Sequence, residues 1–122
     1  MKQLLGREDI IQLVDLFYSK LQSDKLLDPF FEKVNWPKHL SIMYDFWENV
    51  IFQESDYSGN PMGIHKMIHS KNQISARHFK RWNKIFRDSV DELFEGENAE
   101  LIKIRAENIS NIMLKAFSKK NL

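Results

Sequence analysis

Apolar residues recur at helical spacing along almost the whole chain, and no stretch alternates apolar and polar positions with a period of two. This pattern predicts an all-α fold. The first helix is expected from about Asp9, where a carboxylate favours the positive end of the helix dipole, to about Ser23. The segment Leu26–Asn35 contains a proline among large apolar residues, which favours a packed connection with at most one turn of 3₁₀ helix.

Four more helices are expected after this connection. Their ranges are about 36–52, about 61–69, from the residue after Ser75 to near Gly96, and about 98–118. Asn35 and Ser75 are suited to cap the helices that follow them, and Gly96 stands where helices commonly end in a left-handed glycine. No repeat or linker interrupts the pattern, so residues 1–122 are expected to form one domain.

Composition narrows the class of protein. The 18 basic and 17 acidic residues nearly cancel, so the chain lacks the strongly basic balance that is typical of nucleic-acid binders. It has no cysteine, which excludes disulfides and thiolate ligands. The first apolar run is too short for a signal peptide, and no run approaches the ~18 apolar residues of a membrane span. We therefore expect a cytoplasmic protein that binds neither nucleic acid nor membrane.

Three polar side chains stand on helix faces that should be buried, where an unpaired polar group is costly. Tyr18 follows Phe17 on the first helix, and His39 lies one turn before Met43 on the second. Trp82 lies within the apolar stripe of the helix after Ser75. Taken singly, each has an ordinary explanation as a core residue whose polar atom finds a partner. The alternative is that the three side chains face a bound ligand, and helical spacing leaves both interpretations open.

Two histidines, His65 and His69, lie one helical turn apart in the stretch GNPMGIHKMIH. This spacing lets two imidazoles face one metal ion, as in the HExxH zinc helix. The glutamate that would activate a zinc-bound water is missing, however, and no third ligand is marked by spacing. The expected helix is also too short to be stable alone, since isolated helices below ~12 residues are marginal in water. A bond from His65 to a haem iron would hold it, because haem takes one imidazole among apolar walls.

A set of short strings, found in this order, resembles the group III truncated haemoglobins of the globin superfamily. The resemblance extends from about Asp9 to Phe117, and the order of the strings makes it specific. The strings are LFYSKLQSD, DPFF, WPKHLSIMYDFW, GNPMGIH, HFKRWNKIF, VDELFEG and RAENI. The resemblance implies a shortened globin fold in which a two-over-two helical sandwich encloses haem.

The resemblance also implies a role for individual residues. His65, from the P-x-x-x-H string, corresponds to the proximal iron ligand. Tyr18, His39 and Trp82 correspond to distal residues that face the bound ligand. The residues expected to contact haem are His65, Phe31, Met43, Phe79 and Trp82. Four residues are candidate partners for the haem propionates, namely Lys66, His69, His78 and Arg81.

The function implied by the resemblance is that of a haem b (iron protoporphyrin IX) protein that binds O₂, NO, CO, cyanide or similar ligands at ferrous iron. Hydrogen bonds from Tyr18 and Trp82 would hold the ligand tightly, which suits sensing or redox chemistry on O₂, NO or peroxide better than delivery. NO dioxygenase-like or peroxidase-like activity would need a reductase, which the sequence does not identify, and the protein is expected to be a monomer. Two alternatives remain open, a haem-free all-α interaction domain and a zinc site at the two histidines.

Overall fold

A computed structural model describes residues 1–52 and 75–118, with side chains as far as residue 115. Four α-helices account for most of these residues: α1 (Arg7–Gln22), α2 (Trp36–Phe52), α3 (Ala76–Leu93) and α4 (Glu97–Ser118). A single turn of 3₁₀ helix, Asp28–Phe31, lies in the connection between α1 and α2. The all-α prediction is therefore confirmed, and the expected helix over 61–69 lies outside the described residues.

Local signals set the helix ends. The α2 helix spans the expected residues, and its first turn is capped by Asn35, whose Oδ1 accepts from the Lys38 amide at 3.3 Å. The α1 helix begins two residues earlier than expected because the Asp9 carboxylate accepts from the backbone amides of Leu5 (2.9 Å) and Gly6 (3.3 Å). This carboxylate thus satisfies donors that lie before the helix and lengthens it at its N-terminus.

A short parallel β-bridge is the element that the hydrophobic pattern did not predict. Strand β1 (Lys2–Gln3) pairs with β2 (Phe94–Glu95), in the register Lys2 with Phe94 and Gln3 with Glu95. Two residues are too few to show a period of two. The next residue, Gly96, has φ 101°, so the chain turns from the bridge into α4 in a conformation that favours glycine.

The four helices pack as two pairs. The α1 helix packs on α2 and α3, α3 packs on α4, and α2 makes a smaller contact with α4. Buried residues from all four helices form one hydrophobic cluster, with Phe17 of α1, Trp47 of α2 and Phe86 of α3 among its largest fully buried members. This arrangement has the two-over-two form that the resemblance implies. Within the part of the chain that the structure describes, no helix is long and apolar enough to cross a membrane.

Candidate functional site

Tyr18 is at the centre of a cluster of aromatic rings between α1, the 3₁₀ turn and the start of α2. The side chain is almost completely buried, with 2% of the residue exposed. Its ring meets His39 edge-on at 4.9 Å between centroids, Trp36 at 5.6 Å and Phe31 at 6.0 Å. Three segments of the chain therefore fix the position of one phenol.

The environment of Tyr18 also fixes its protonation state. Burial raises the pKa of the Tyr18 hydroxyl, because the phenolate would lose its hydration in this apolar setting. The group therefore remains an O–H donor at neutral pH. A buried hydroxyl of this kind can donate one hydrogen bond to a small ligand.

His39 and Met43 lie one turn apart on α2 and are both buried. The His39 ring contacts Tyr18, as above, and meets Trp36 edge-on at 5.7 Å. The Asn35 cap fixes this turn, since the His39 backbone amide donates to the Asn35 carbonyl at 2.9 Å. The N-terminal half of α2 thus presents an imidazole and then a flexible apolar side chain on one face.

Trp82 reaches the same region from α3. Its indole stacks on Phe86 at 5.8 Å and 11°, and it meets the Phe17 ring at 5.4 Å and 87°. Phe17 also contacts its neighbour Tyr18 at 4.9 Å. One fully buried ring therefore separates the two predicted donors and sets their spacing. The structure places Tyr18 and Trp82 in one buried cluster with Phe31 and Met43, and the His39 ring joins it through its contact with Tyr18.

Phe79 is placed differently from the other predicted contact residues. It belongs to a second, smaller apolar cluster with Met113, beside the partly buried Ile109 and Leu114 of α4. The predicted contact residues that the structure describes therefore fall into two groups. One group lies between α1, α2 and α3, and the other lies between α3 and α4.

The remaining predicted site residues either make contacts with other side chains or with the backbone, or lie outside the described residues. Arg81 forms an ion pair with Asp24, with Nε and Oδ2 3.1 Å apart. His78 uses Nδ1 at the N-terminus of α3, where it accepts from the Ser75 amide at 3.0 Å. The remaining candidates, His65, Lys66 and His69, fall in the segment 53–74, outside the described residues, so their roles stay predictions.

Trp36 also belongs to the Tyr18 cluster, although it was not predicted from the sequence. Its ring stacks on Phe31 at 5.8 Å and 28° and contacts both Tyr18 and His39. The signal was available, since Trp36 stands three residues before His39 and such a spacing brings two side chains to one helix face. Two buried polar atoms also have no hydrogen-bond partner among the described residues, the indole Nε1 of Trp47 and Oδ1 of Asn83.

The chemistry of this cluster fits a haem ligand pocket. Such a pocket needs apolar walls and a small number of donors that face the ligand. Here aromatic rings and Met43 supply the walls, while Tyr18 and Trp82 supply an O–H and an N–H. Within residues 1–52 and 75–118, no group of three or more histidine, aspartate or glutamate side chains could hold a metal ion.

Four helices in two packed pairs, with a buried Tyr, His and Trp between them, define a globin of the truncated class. Comparison with known families agrees, since the family described as bacterial-like globin matches residues 2–118. The chain belongs to this family, and membership implies that it binds haem.

Individual relatives support the same placement. The "Group 3 truncated hemoglobin ctb" of Campylobacter jejuni is 28% identical over 115 residues, covering 89% of this chain and 88% of that protein. The crystal structure of group III truncated hemoglobin from Campylobacter jejuni superposes with a TM-score of 0.84 at 27% identity, covering 96% and 95% of the two chains. Chlamydomonas reinhardtii THB1 shares the fold, with a TM-score of 0.70, 20% identity and 89% coverage of each chain. The resemblance to group III truncated haemoglobins is thereby confirmed.

Proposed function

We propose that this protein holds haem b through His65 and binds O₂ and other diatomic ligands, with Tyr18 and Trp82 as hydrogen-bond donors to the ligand. The observation that supports this proposal best is the Tyr18 cluster. A phenol that is 2% exposed, with its pKa raised by burial, is held between the rings of His39, Trp36 and Phe31. His39 and Met43 complete the distal side in this proposal, and Phe31 and Phe79 contact the porphyrin.

When bound, ferrous haem supplies the iron at which a diatomic ligand binds and gains electron density. The chain's own contribution is to place two donors where that negative charge lies. A hydrogen bond to a charged acceptor contributes about 1.5–3 kcal/mol, so each donor slows ligand release by about tenfold to 150-fold. Both residues are buried, Tyr18 at 2% and Trp82 at 8% exposed, which limits the exchange of these bonds for bonds to solvent.

Absorption spectroscopy with a matched pair of histidine variants tests the haem assignment. The purified wild-type protein should show a strong Soret band. This band should be lost in His65→Ala, because the proposed iron ligand is removed. It should survive in His69→Ala, one turn further along the chain. Colourless protein that also fails to bind added hemin would refute the proposal and favour the haem-free interaction domain, and loss of the band in His69→Ala alone would refute the choice of ligand.

The wider proposal is that the protein acts as a cytoplasmic monomer, reduced by a separate reductase, and converts O₂, NO or peroxide rather than delivering O₂. Support comes from the two donors, since the same groups would stabilise an oxygen atom that gains negative charge. NO consumption by the oxygenated protein and peroxide turnover by the ferric protein test this part. Rates no higher than those of free haem in both assays would exclude the two redox activities.

A further inference from the structure

The N-terminus of α3 is closed by an unusual reciprocal cap. The Ser75 backbone N–H donates to Nδ1 of His78 at 3.0 Å, and the Ser75 hydroxyl lies 3.0 Å from the same nitrogen. In the opposite direction, the His78 backbone amide donates to the Ser75 carbonyl at 3.0 Å. In the common form of this capping box the third helical residue is glutamate or glutamine, whose oxygen is the acceptor. Here an imidazole takes that place.

This cap requires a neutral imidazole. A ring nitrogen that accepts a backbone N–H must carry a lone pair, so the ring proton is on Nε2. Protonation of Nδ1 would set two N–H groups against each other and add a positive charge at the positive end of the helix dipole. Unlike a capping glutamine, His78 therefore loses its capping ability when it takes up a proton.

The surroundings of His78 oppose protonation. Burial lowers the pKa of its imidazole, and the charge of Arg77 lowers it further. The 3₁₀ turn packs the uncharged ring of Phe30 against it, edge-on at 4.9 Å. In the connection between α1 and α2, the Asp24 carboxylate is paired with Arg81, with Oδ2 and Nε 3.1 Å apart. The described surroundings of the His78 ring therefore stabilise its neutral form.

The turn that this cap closes leads directly to the candidate site. Phe79, which packs against α4, follows His78, and Trp82 of the Tyr18 cluster lies one turn further along α3. We propose that Ser75 and His78 are positioning residues for Phe79 and Trp82, and that they hold the first turn of α3 only while His78 is neutral. The effect on ligand release rests on the proposed function, whereas the effect on the helix end does not.

The sign of the pH effect follows from the lowered folded-state pKa. Above pH 6.5, the pKa of histidine in the unfolded chain, His78 is neutral in both the folded and the unfolded protein, and the cap is complete. As the pH falls below that value, the unfolded ring takes up its proton first, so the cap loses stability until both states are protonated.

Amide hydrogen exchange of the purified holoprotein between pH 5 and 8, corrected for intrinsic exchange rates, tests the cap. Protection of the amides of Ser75, His78 and Phe79, which donate hydrogen bonds at this helix end, should fall by about fivefold to tenfold in the wild type as the pH drops, the usual effect of losing a cap. His78→Gln keeps the acceptor but cannot titrate, so its protection should be high and independent of pH. His78→Ala should be poorly protected at every pH.

The α1 helix serves as an internal control in the same experiment, because its acceptor is the Asp9 carboxylate. Burial alone would raise the pKa of Asp9, but hydrogen bonds from the Leu5 amide and from Lys2 bring it below its usual value. Protection at the start of α1 should therefore not change over this pH range.

Ligand release is measured alongside exchange. The O₂ dissociation rate should rise at low pH in the wild type and stay constant in His78→Gln. A wild-type pH response in the glutamine variant, or flat protection in the wild type, would overturn the cap. A titrating cap with a constant dissociation rate would overturn the positioning of Trp82. The Soret test of the haem assignment is independent of all these results.

Discussion

Replacement of Tyr18 by phenylalanine isolates one atom of the candidate site. The ring of Tyr18 makes edge contacts with Phe17, Phe31, Trp36 and His39, and phenylalanine can keep all of them. Only the hydroxyl is lost. Because the residue is 2% exposed, water has little access to replace that donor. The loss therefore appears almost fully as a weaker hold on the ligand.

The magnitude follows from the kind of hydrogen bond. A donor to a partly charged acceptor contributes about 1.5–3 kcal/mol, which corresponds to about a tenfold to 150-fold faster O₂ dissociation. Stability should change little, since the ring contacts remain and the hydroxyl removed is a single buried polar group. The variant should therefore separate ligand chemistry from folding.

Stopped-flow displacement of O₂ by CO measures the dissociation rate directly. Tyr44→Phe is the matched control, because the Tyr44 hydroxyl is already engaged in a hydrogen bond that it donates to the Asp15 carboxylate. Burial, followed by the Asp15 hydrogen bond, raises the pKa of Tyr44 to about 12, so it too is a protonated phenol. The dissociation rate of the control should equal that of the wild type. An unchanged rate in Tyr18→Phe, with an intact Soret band, would show that the hydroxyl does not donate to the ligand.

Three further substitutions test the remaining parts of the structure. Trp82→Phe removes the indole N–H but leaves an aromatic ring, and stopped-flow displacement should show O₂ leaving about tenfold to 150-fold faster. Gly96→Ala should lower the free energy of unfolding in urea by about 1–3 kcal/mol, because a side chain is strained at φ 101° and its Cβ would lie 3.3 Å from Cγ of Gln3. Arg7→Met removes a 2.8 Å hydrogen bond to Glu48, which is 8% exposed, and a 2.9 Å hydrogen bond to Asp45. This substitution should lower the free energy of unfolding by about 1–3 kcal/mol in the same assay. The loss is smaller than for a fully buried pair, because the Arg7 side chain is 42% exposed. Adding Glu48→Gln should recover part of the loss, because it removes the unpaired carboxylate charge.

Two helix starts were predictable because their causes are local. Asn35 caps α2 through its own side chain, as expected. The start of α3 is also where expected, although His78 rather than the Ser75 side chain makes the cap. A reader of the sequence can therefore find both starts without knowing which helices touch. Gly96 was expected to end α3, but α3 ends at Leu93, and Gly96, with φ 101°, turns the chain from β2 into α4. The start of α1 was predicted less accurately, since Gly6 offers no side-chain signal and the cap is made by a carboxylate three residues later.

Contacts between distant residues were not predictable in the same way. The β-bridge pairs Gln3 with Glu95, and the ion pair of Arg7 with Glu48 joins residues 41 positions apart. Neither leaves a mark in the hydrophobic period of its own segment. Such contacts depend on how α1 packs on α2 and how α4 returns to the N-terminus, which the pattern within one element does not specify.

The candidate site could be predicted from the sequence only in part. Periodicity alone placed Tyr18, His39 and Trp82 on buried faces, where the structure has them, but left a core role and a ligand role open. The order of the family strings selected the ligand role, and the family assignment supports the haem that this role requires. The assignment of each residue remains a prediction, because faces from three elements meet around Tyr18 and a single helix pattern describes only one of them.

Phe17 lies between the two residues that we propose as donors. Its fully buried ring touches Tyr18 at 4.9 Å, Trp82 at 5.4 Å and Phe86 at 5.0 Å, so the α1–α3 contact sets the distance between the two donors. Interiors are close-packed, and a change of one methylene at such a position moves its neighbours. Under the proposed function, ligand retention would depend on the packing of α1 against α3 as well as on the two polar atoms. The proposed cap of Ser75 and His78 would affect the same α1–α3 contact, because it holds the first turn of α3, which precedes Trp82.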